Sequence, residues 1–469
     1  MTSLPHPSLP TASQPAALDV QRYRLDNGLR VWVQARPAAT SATALLVLNV
    51  GARYETAANN GISHFVEHML FVGTERWTEN EIKDVITHRG GNWNGWTSLD
   101  RTVYYAQVAD RDVGTALDWL SQIVVHPAFP EDKVAKERDV IFQEKAGRYG
   151  WLINTLDGLG FGYELDRDVR RAIFPQSTLG FRVIGEDASL ERIDRAALRA
   201  YYETHYTPDN AALIIVGNVS PDAARLQAEA LFGAWSPRDV PTTPPATPAW
   251  PAAGPQQVTV RGPLATEQEY LQMGARTVGR AHADRWALEV LADVLEEDLT
   301  KEIRNEQGLV YSLRAWNTWF DDAGYFEIHT VAEPGSQARI KQAFEAHLAQ
   351  VGAGQISDER LTEAKTTLKG RWALSMEDTA SCAGYLADWA LVLSDGEDLP
   401  DYATAIEAVT AADLKRVVET YFTPDRRYVG VHQPIVTVTG GARVAGIIAG
   451  VGAAWWLGRK VMRRARKRG

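Results

Sequence analysis

Residues 64–68 read His-Phe-Val-Glu-His, a spacing that can place a metal ion beside a general base. His64 and His68 are four residues apart, so on an α-helix both imidazoles project from one face. Two imidazoles supply half of a tetrahedral zinc site, and Glu67 lies where it could take a proton from a metal-bound water. The order H-x-x-E-H is the reverse of the commoner H-E-x-x-H. Two ordinary core or surface histidines can give the same pattern by chance. The motif therefore indicates a metal site only if a third ligand lies nearby.

That ligand must come from another element of the chain. The stretch KVAKERDVIFQEK, residues 133–145, carries Glu137 and Glu144 seven residues apart. Seven residues make about two helical turns, so both carboxylates share a face. On charge pattern alone, two glutamates on a helix usually belong to a solvated surface. The residues themselves therefore leave the third ligand open.

Composition sets the broad class of the protein. The chain has 469 residues, of which 45% are hydrophobic and 23% charged, the values of an ordinary globular protein. This length predicts two or three domains. Cys382 is the single cysteine, which excludes an intramolecular disulfide framework and a zinc site built from cysteines.

The two ends of the chain differ from its body. Residues 1–17 lack the basic and apolar regions of a secretory signal, and their Pro, Ser and Thr content predicts a disordered lead-in. Residues 444–458 are uncharged, and a tail with seven basic and no acidic residues follows them. Fifteen helical residues span about 22 Å, short of the ~30 Å hydrocarbon core, so a single-pass helix, an interfacial helix and a flexible tail all stay open. A spanning tail would also carry its positive charges out of the cytoplasm, against the usual orientation.

Charge narrows the classes of partner. The whole chain has a formal net charge of −10, so residues 1–458, without the seven basic residues of the tail, carry −17. An acidic body should attract cationic peptides and repel nucleic acid, whereas the basic tail suits anionic lipid headgroups. We expect a cytoplasmic body that is membrane-associated through its C-terminal segment.

An internal repeat divides the chain. The stretch from Ala196 to Asp209 matches that from Ala412 to Asp425 at seven of fourteen positions, without a gap in either copy. Such self-similarity indicates a duplication. A Pro-rich segment, residues 236–257, predicts a linker between the two copies. The expected domains are residues 18–235 and 258–436, with residues 437–469 as a C-terminal segment.

Hydrophobic periodicity predicts the fold class. Alternating strands such as LRVWVQA, ATALLVLNVG and TVYYAQVA mix with amphipathic helices such as residues 113–125 and 131–145. This mixture favours an α+β fold in which each half is a largely antiparallel sheet covered by helices.

The H-x-x-E-H motif of residues 64–68 is followed later in the chain by Glu144, at the end of an E-R-x-V-I-x-x-E stretch. Together these two stretches resemble the pitrilysin/insulinase family of inverted zincin metallopeptidases. The length and the two-domain repeat resemble its mitochondrial-processing-peptidase-like branch, over roughly residues 18–436. The resemblance implies one Zn²⁺ per chain, with Glu67 as the general base that activates a water. The implied ligands are His64, His68 and Glu144, and Glu137 would orient a ligand histidine.

Two further stretches are similar to the family. Residues 90–97, GGNWNGWT, resemble its Gly-Gly…Asn-Ala-x-Thr edge strand, which pairs with the substrate backbone. This implies substrate contacts for Asn94 and Thr97, although both could be structural, and Gly95 stands where alanine is usual. Residues 303–313, IRNEQGLVYSL, resemble the L-R-x-x-x-G-L-x-Y segment. This implies that Arg304 holds the substrate carbonyl and Tyr311 donates to the developing oxyanion.

The second copy is expected to lack a metal. When residues 356–361 are aligned with residues 129–134, Ala364 stands for Glu137 and Arg371 for Glu144. The resemblance thus implies a zinc endopeptidase that hydrolyses unfolded or short peptides, built as half of a clam-shell chamber. A homodimer would close the chamber, each subunit completing the other's site, and a heterodimer with a metal-free paralogue is the competing assembly. The alternative function is a non-catalytic core or scaffold subunit of a membrane complex, although such subunits usually have an eroded metal motif.

Overall fold

The computed structural model describes residues 18–158, 164–237, 245–249, 256–262 and 268–434. The predicted lead-in, most of the predicted linker, residues 444–458 and the basic tail lie outside these ranges, so the expectations for them stay predictions. Within these ranges no helix is long and apolar enough to cross a membrane.

The first half of the chain forms a six-stranded sheet. Its strands are β1 (Val20–Arg24), β2 (Arg30–Ala35), β3 (Ser41–Leu48), β4 (Asn92–Thr97), β5 (Thr102–Ala109) and β6 (Ala211–Gly217). They lie in the order β1-β2-β6-β3-β5-β4, and β2–β6 is the one parallel pair of this sheet. Strand β4 pairs with β5 on one side and forms the edge of the sheet.

Eight helices belong to the described part of this half. They are α1 (Ile62–Leu70), α2 (Glu79–Thr87), α3 (Val113–Val125), α4 (Glu131–Gly158), α5 (Leu165–Ile173), α6 (Asp187–Leu190), α7 (Arg195–His205) and α8 (Pro221–Phe232). Helices α3 and α8 pack on one face of the sheet. Strands β3 and β6 are nearly continuous apolar runs that are buried on both faces, which requires a second covering layer.

The second half forms a five-stranded sheet with its own helices. The strands are β7 (Gln256–Gly262), β8 (Glu269–Thr277), β9 (Val310–Trp319), β10 (Gly324–Ala332) and β11 (Arg427–Pro434). The helices are α9 (Arg285–Leu299), which continues as a π-helical segment over Thr300–Glu306, α10 (Gln337–Gly352), α11 (Asp358–Ser375), α12 (Thr379–Ala390), α13 (Tyr402–Ala408) and α14 (Ala411–Tyr421).

The topology of the two sheets confirms the predicted α+β class and the duplication. The second sheet runs β7-β11-β8-β10-β9, which reproduces the order β2-β6-β3-β5-β4 of the first sheet. In both sheets the corresponding pair, β2–β6 or β7–β11, is the parallel one. Helices α7 and α14 begin at matching positions of the two copies, and so do α4 and α11, in the registers found in the sequence. By this correspondence α1 matches α9.

The two halves exchange one helix each. Helix α5 of the first half packs on β7, β8 and β11, whereas α12 of the second half packs on β2, β3 and β6. The buried hydroxyl of Thr43 in β3 donates to Thr379 in α12 over 2.9 Å. Arg101, after β4, is hydrogen-bonded to Asp321, after β9, over 3.1 Å. Buried residues of both halves therefore form a shared core.

Candidate metal centre

Helix α1, which carries the H-x-x-E-H motif, is fixed at its first turn. Gly61 precedes the helix with φ +98°, and a Cβ there would lie 2.7 Å from Cα of Gly185, so glycine is required. The buried carboxylate of Glu55 accepts hydrogen bonds from the main-chain N–H groups of Gly61 (2.7 Å) and Ser63 (2.8 Å), groups that a helix start leaves without partners. Burial raises the pKa of Glu55 to about 7, against these hydrogen bonds. No sequence motif pointed to this residue.

Helix α4 brings the third candidate ligand to α1. Its Arg138 donates to the carbonyl of Ile193 over 2.6 Å, and Lys145 donates to that of Gly185 over 3.0 Å. Helix α4 contacts α1, and these two hydrogen bonds hold the helical turn that carries Glu144 in place beside it.

His64, His68 and Glu144 converge at one point. The carboxylate Oε2 of Glu144 lies 3.8 Å from Nε2 of His64 and 3.6 Å from Nε2 of His68. One candidate ligand atom from each residue lies within 4.8 Å of the others, and no other described residues form such a group. Tetrahedral zinc ligands at ~2.0–2.1 Å from the ion lie about 3.3 Å from one another. The donor set and its spacing therefore fit a zinc ion after small side-chain adjustments.

Glu137 supports the second histidine from behind. Its Oε2 lies 3.4 Å from Nδ1 of His68, so this contact leaves Nε2 turned toward Glu144. Burial opposes a charged imidazole, but the hydrogen bonds of Glu137 and Glu144 and the charge of Glu67 raise the pKa of His68 to about 9. Carboxylates that attract this proton would equally attract a divalent cation.

Glu67, the candidate base, is held by the edge strand. It is buried, and its Oε2 accepts a hydrogen bond of 2.7 Å from the hydroxyl of Thr97 in β4. Burial raises the pKa of Glu67, the hydrogen bond from Thr97 and the charge of His68 oppose this, and the charge of Glu144 adds to it. A raised carboxyl pKa suits a group that both accepts and returns a proton. The hydroxyl of Thr97, for which we expected a substrate contact, is thus engaged by Glu67.

The metal group opens into a cavity of about 790 Å³ along β4. Phe71 and Trp93 form an aromatic wall of this cavity, with ring centroids 5.0 Å apart. A Cβ at Gly95 would lie 3.0 Å from the ring of Phe71, so the alanine that the resemblance leads one to expect would require this ring to shift by a few tenths of an ångström. Asn94 is exposed, and its side-chain oxygen accepts a hydrogen bond from the N–H of Gly95 over 3.0 Å.

Arg304 and Tyr311 lie elsewhere. Arg304 is exposed on the π-helical segment, and Tyr311 is 55% exposed near the start of β9. Neither belongs to the described residues that line the metal cavity of the same chain.

Comparison with known proteins settles the family. Residues 30–147 match the model "Insulinase (Peptidase family M16)", and residues 192–368 match "Peptidase M16 inactive domain". An uncharacterized zinc protease of Mycobacterium leprae is 32% identical over 77% of this chain and 80% of its own length. The chain belongs to the insulinase family of peptidases.

One further relative bears on the branch of the family, and one solved structure bears on the fold. A probable mitochondrial-processing peptidase subunit beta of Arabidopsis thaliana is 29% identical over 89% of the chain and 79% of its own length, in line with the predicted branch. A protease from Helicobacter pylori of known structure has the same fold, with a TM-score of 0.80, 21% identity, and coverage of 89% of this chain and 100% of its own.

In the second half of this M16 chain, other residues stand at the positions that correspond to the metal group of the first half. Helix α11 contacts α9, as α4 contacts α1. Arg371, at the position of Glu144, pairs with Asp293 of α9 over 3.0 Å, and Ala364, at the position of Glu137, is buried. A cationic side chain in an ion pair thus stands where the first half has the candidate ligand carboxylate.

Proposed function

We propose that this chain is a zinc-dependent endopeptidase that hydrolyses unfolded or short peptides. The observation that carries the proposal is the convergence of His64, His68 and Glu144 beside the buried carboxylate of Glu67. A scaffold role alone would not need these four groups at one point.

Each group has a distinct task. A zinc ion bound there would polarise a peptide carbonyl and acidify a water. Glu67 accepts the proton of the attacking water and returns it to the leaving amine. Thr97 holds that carboxylate, and Glu137 fixes the ring of His68.

The substrate class follows from the edge strand. Strand β4 lies at the rim of its sheet beside the metal cavity, and its residues line that cavity. An extended peptide could add to this edge through main-chain hydrogen bonds, whereas a folded protein could not present its backbone in this way. The net charge of −17 for residues 1–458 favours basic peptides.

The assembly is a second part of the proposal. Arg304 and Tyr311 are exposed and lie apart from the metal cavity of their own chain. In a homodimer each subunit would supply this pair to the other's metal centre. A heterodimer with a metal-free paralogue is the competing arrangement.

Removal and return of the metal tests the proposed activity. A chelator should abolish hydrolysis of an internally quenched basic peptide by the full-length chain, because the peptide carbonyl loses the Lewis acid that polarises it. Stoichiometric zinc should restore this hydrolysis. Magnesium, which prefers six oxygen ligands, serves as the matched control and should not restore activity. Hydrolysis that persists in the chelator would refute a metallopeptidase.

The hydrogen bond to Glu67 predicts a kinetic signature for Thr97. Thr97→Val keeps the shape but removes the donor, so kcat should fall roughly 10- to 100-fold with KM within about twofold, because a displaced base acts only on the chemical step. Thr97→Ser restores the hydroxyl and should stay within about threefold of the wild type. A rise in KM for Thr97→Val with unchanged kcat would instead assign Thr97 to substrate binding.

A further inference from the structure

A second cavity, of about 900 Å³, lies between the two halves of the chain. Residues of both sheets and of helices α5 and α12 line it. Trp96, Val183 and Ile184 line this interdomain cavity and also the metal cavity. The two cavities therefore adjoin at a shared wall, and what binds in one can extend into the other.

The charges at the wall of the interdomain cavity are neutralised by one another. The arginines there pair with acids, namely Arg101 with Asp321, Arg167 with Asp168, Arg170 with Asp166, Arg182 with Glu164 and Arg280 with Asp388. Apolar side chains supply much of the remaining wall, among them Val47, Leu99, Val103, Leu165, Phe320 and Ala387. A wall of this kind suits an uncharged, apolar occupant.

The two faces of strand β4 differ near Trp96, which borders both cavities. Thr97 reaches Glu67, and Gly95 lies against Phe71, so these alternate residues face the metal side. Trp96 lies on the opposite face, 5.9 Å from the ring of Tyr105, and is 43% exposed at the wall of the interdomain cavity. This alternation is the ordinary period of a strand.

A peptide that adds to the edge of β4 must alternate in the same way. Side chains at every second position lie on the face of Gly95 and Thr97, and those between them lie on the face of Trp96, where the interdomain cavity begins. We propose that the interdomain cavity is a substrate subsite that accepts a bulky uncharged apolar side chain, at a position adjacent in the peptide to a residue that faces the metal cavity. This inference rests on the proposed peptidase function, since it assumes a peptide on β4.

Helix α12 offers a way to fill the cavity. Gly384 lines it, and a Cβ at this position meets no atom within 4 Å. Gly384→Leu therefore adds bulk at the wall of the subsite from a Cβ that meets no neighbour, and Gly384→Ala is the short control. Gly370 on α11 has equally open surroundings, is exposed and does not line the cavity, so Gly370→Leu is the matched control for a leucine introduced into a helix.

The test uses ten-residue peptides of Ala, Ser and Gly with a single Phe moved through successive positions. Hydrolysis is measured with the zinc-loaded full chain, and binding is measured by anisotropy with the zinc-loaded Glu67→Gln variant. Phe should improve kcat/KM and affinity about 10-fold or more at alternate positions, as expected for burial of its ring. Gly384→Leu should abolish the gain at the position facing the interdomain cavity and leave the other positions within twofold.

The controls and the contrary outcomes are defined separately. Gly384→Ala and Gly370→Leu should keep the wild-type profile, and Trp96→Ala, which removes part of the wall at a half-exposed position, should weaken the same gain as Gly384→Leu. A Phe profile that Gly384→Leu and Trp96→Ala leave unchanged would overturn the subsite, as would absence of peptide binding to Glu67→Gln. If the wild type hydrolyses no peptide, the proposed activity fails, yet the binding profile still decides the subsite.

Discussion

Glu67→Gln should lower kcat by roughly 10²- to 10⁴-fold, the usual contribution of a general base, while the zinc content stays unchanged. Glutamine has the shape of glutamate but cannot take a proton from water. Its side-chain carbonyl can still accept the hydrogen bond that Thr97 donates over 2.7 Å, so the local geometry should persist. Peptide hydrolysis and zinc analysis on the same preparation check both parts of this prediction.

A second glutamate in the same cavity provides the matched control. Glu79 lines the metal cavity, but it forms ion pairs with Lys133 (2.8 Å) and Lys83 (2.7 Å). The hydrogen bonds from these lysines lower the pKa of Glu79 to about 2, so it is a weaker proton acceptor than Glu67, whose pKa is raised. Glu79→Gln should stay within about threefold of the wild type, as surface ion pairs contribute little. Residual activity above a tenth in Glu67→Gln would place the base elsewhere.

Two inactive variants should restore each other's activity if the chain works as a homodimer. Tyr311→Phe alone should lose roughly 10²- to 10³-fold in kcat, the usual effect of removing an oxyanion donor. In a mixed dimer with Glu67→Gln, one metal centre keeps Glu67 and receives an intact Tyr311 from the partner. After random exchange half the dimers are mixed, and one of their two sites is complete, so about a quarter of wild-type activity should return.

The complementation has its own control and its own refutation. Glu67→Gln mixed with a chain that carries both Glu67→Gln and Tyr311→Phe has no complete site, so it should stay inactive. Exchange without recovery, verified with two differently tagged chains, would refute mutual completion. Activity that appears only with a metal-free paralogue would favour the heterodimer.

The sequence predicted the metal group through the family resemblance rather than through charge pattern. Glu144 lies on a long helix, and its side chain is 47% exposed, as for any solvated glutamate. What singles it out is the contact between α4 and α1, a long-range packing that periodicity cannot reveal. Glu55 lies only six residues before Gly61, but no sequence motif shows that its carboxylate turns onto the first turn of α1.

The fold class followed from local patterns, whereas the partners of each element did not. An amphipathic helix shows that one of its faces is buried but not against which sheet. Helices α5 and α12 each cover the sheet of the other half, an exchange that the predicted linker gave no reason to expect. Likewise, alternation shows that Trp96 and Thr97 face opposite sides of β4, but only packing shows that the interdomain cavity lies at Trp96.

Zinc content per chain tests the central claim most directly. The measurement is made on the full-length wild type, on Glu144→Gln and on Glu79→Gln, each equilibrated with zinc and dialysed. We predict one zinc per wild-type chain and per Glu79→Gln chain, and nearly none for Glu144→Gln, because the amide is a poor ligand where a carboxylate joined two imidazoles. A wild type without zinc, or a Glu144→Gln variant that retains it, would contradict a metal centre at His64, His68 and Glu144.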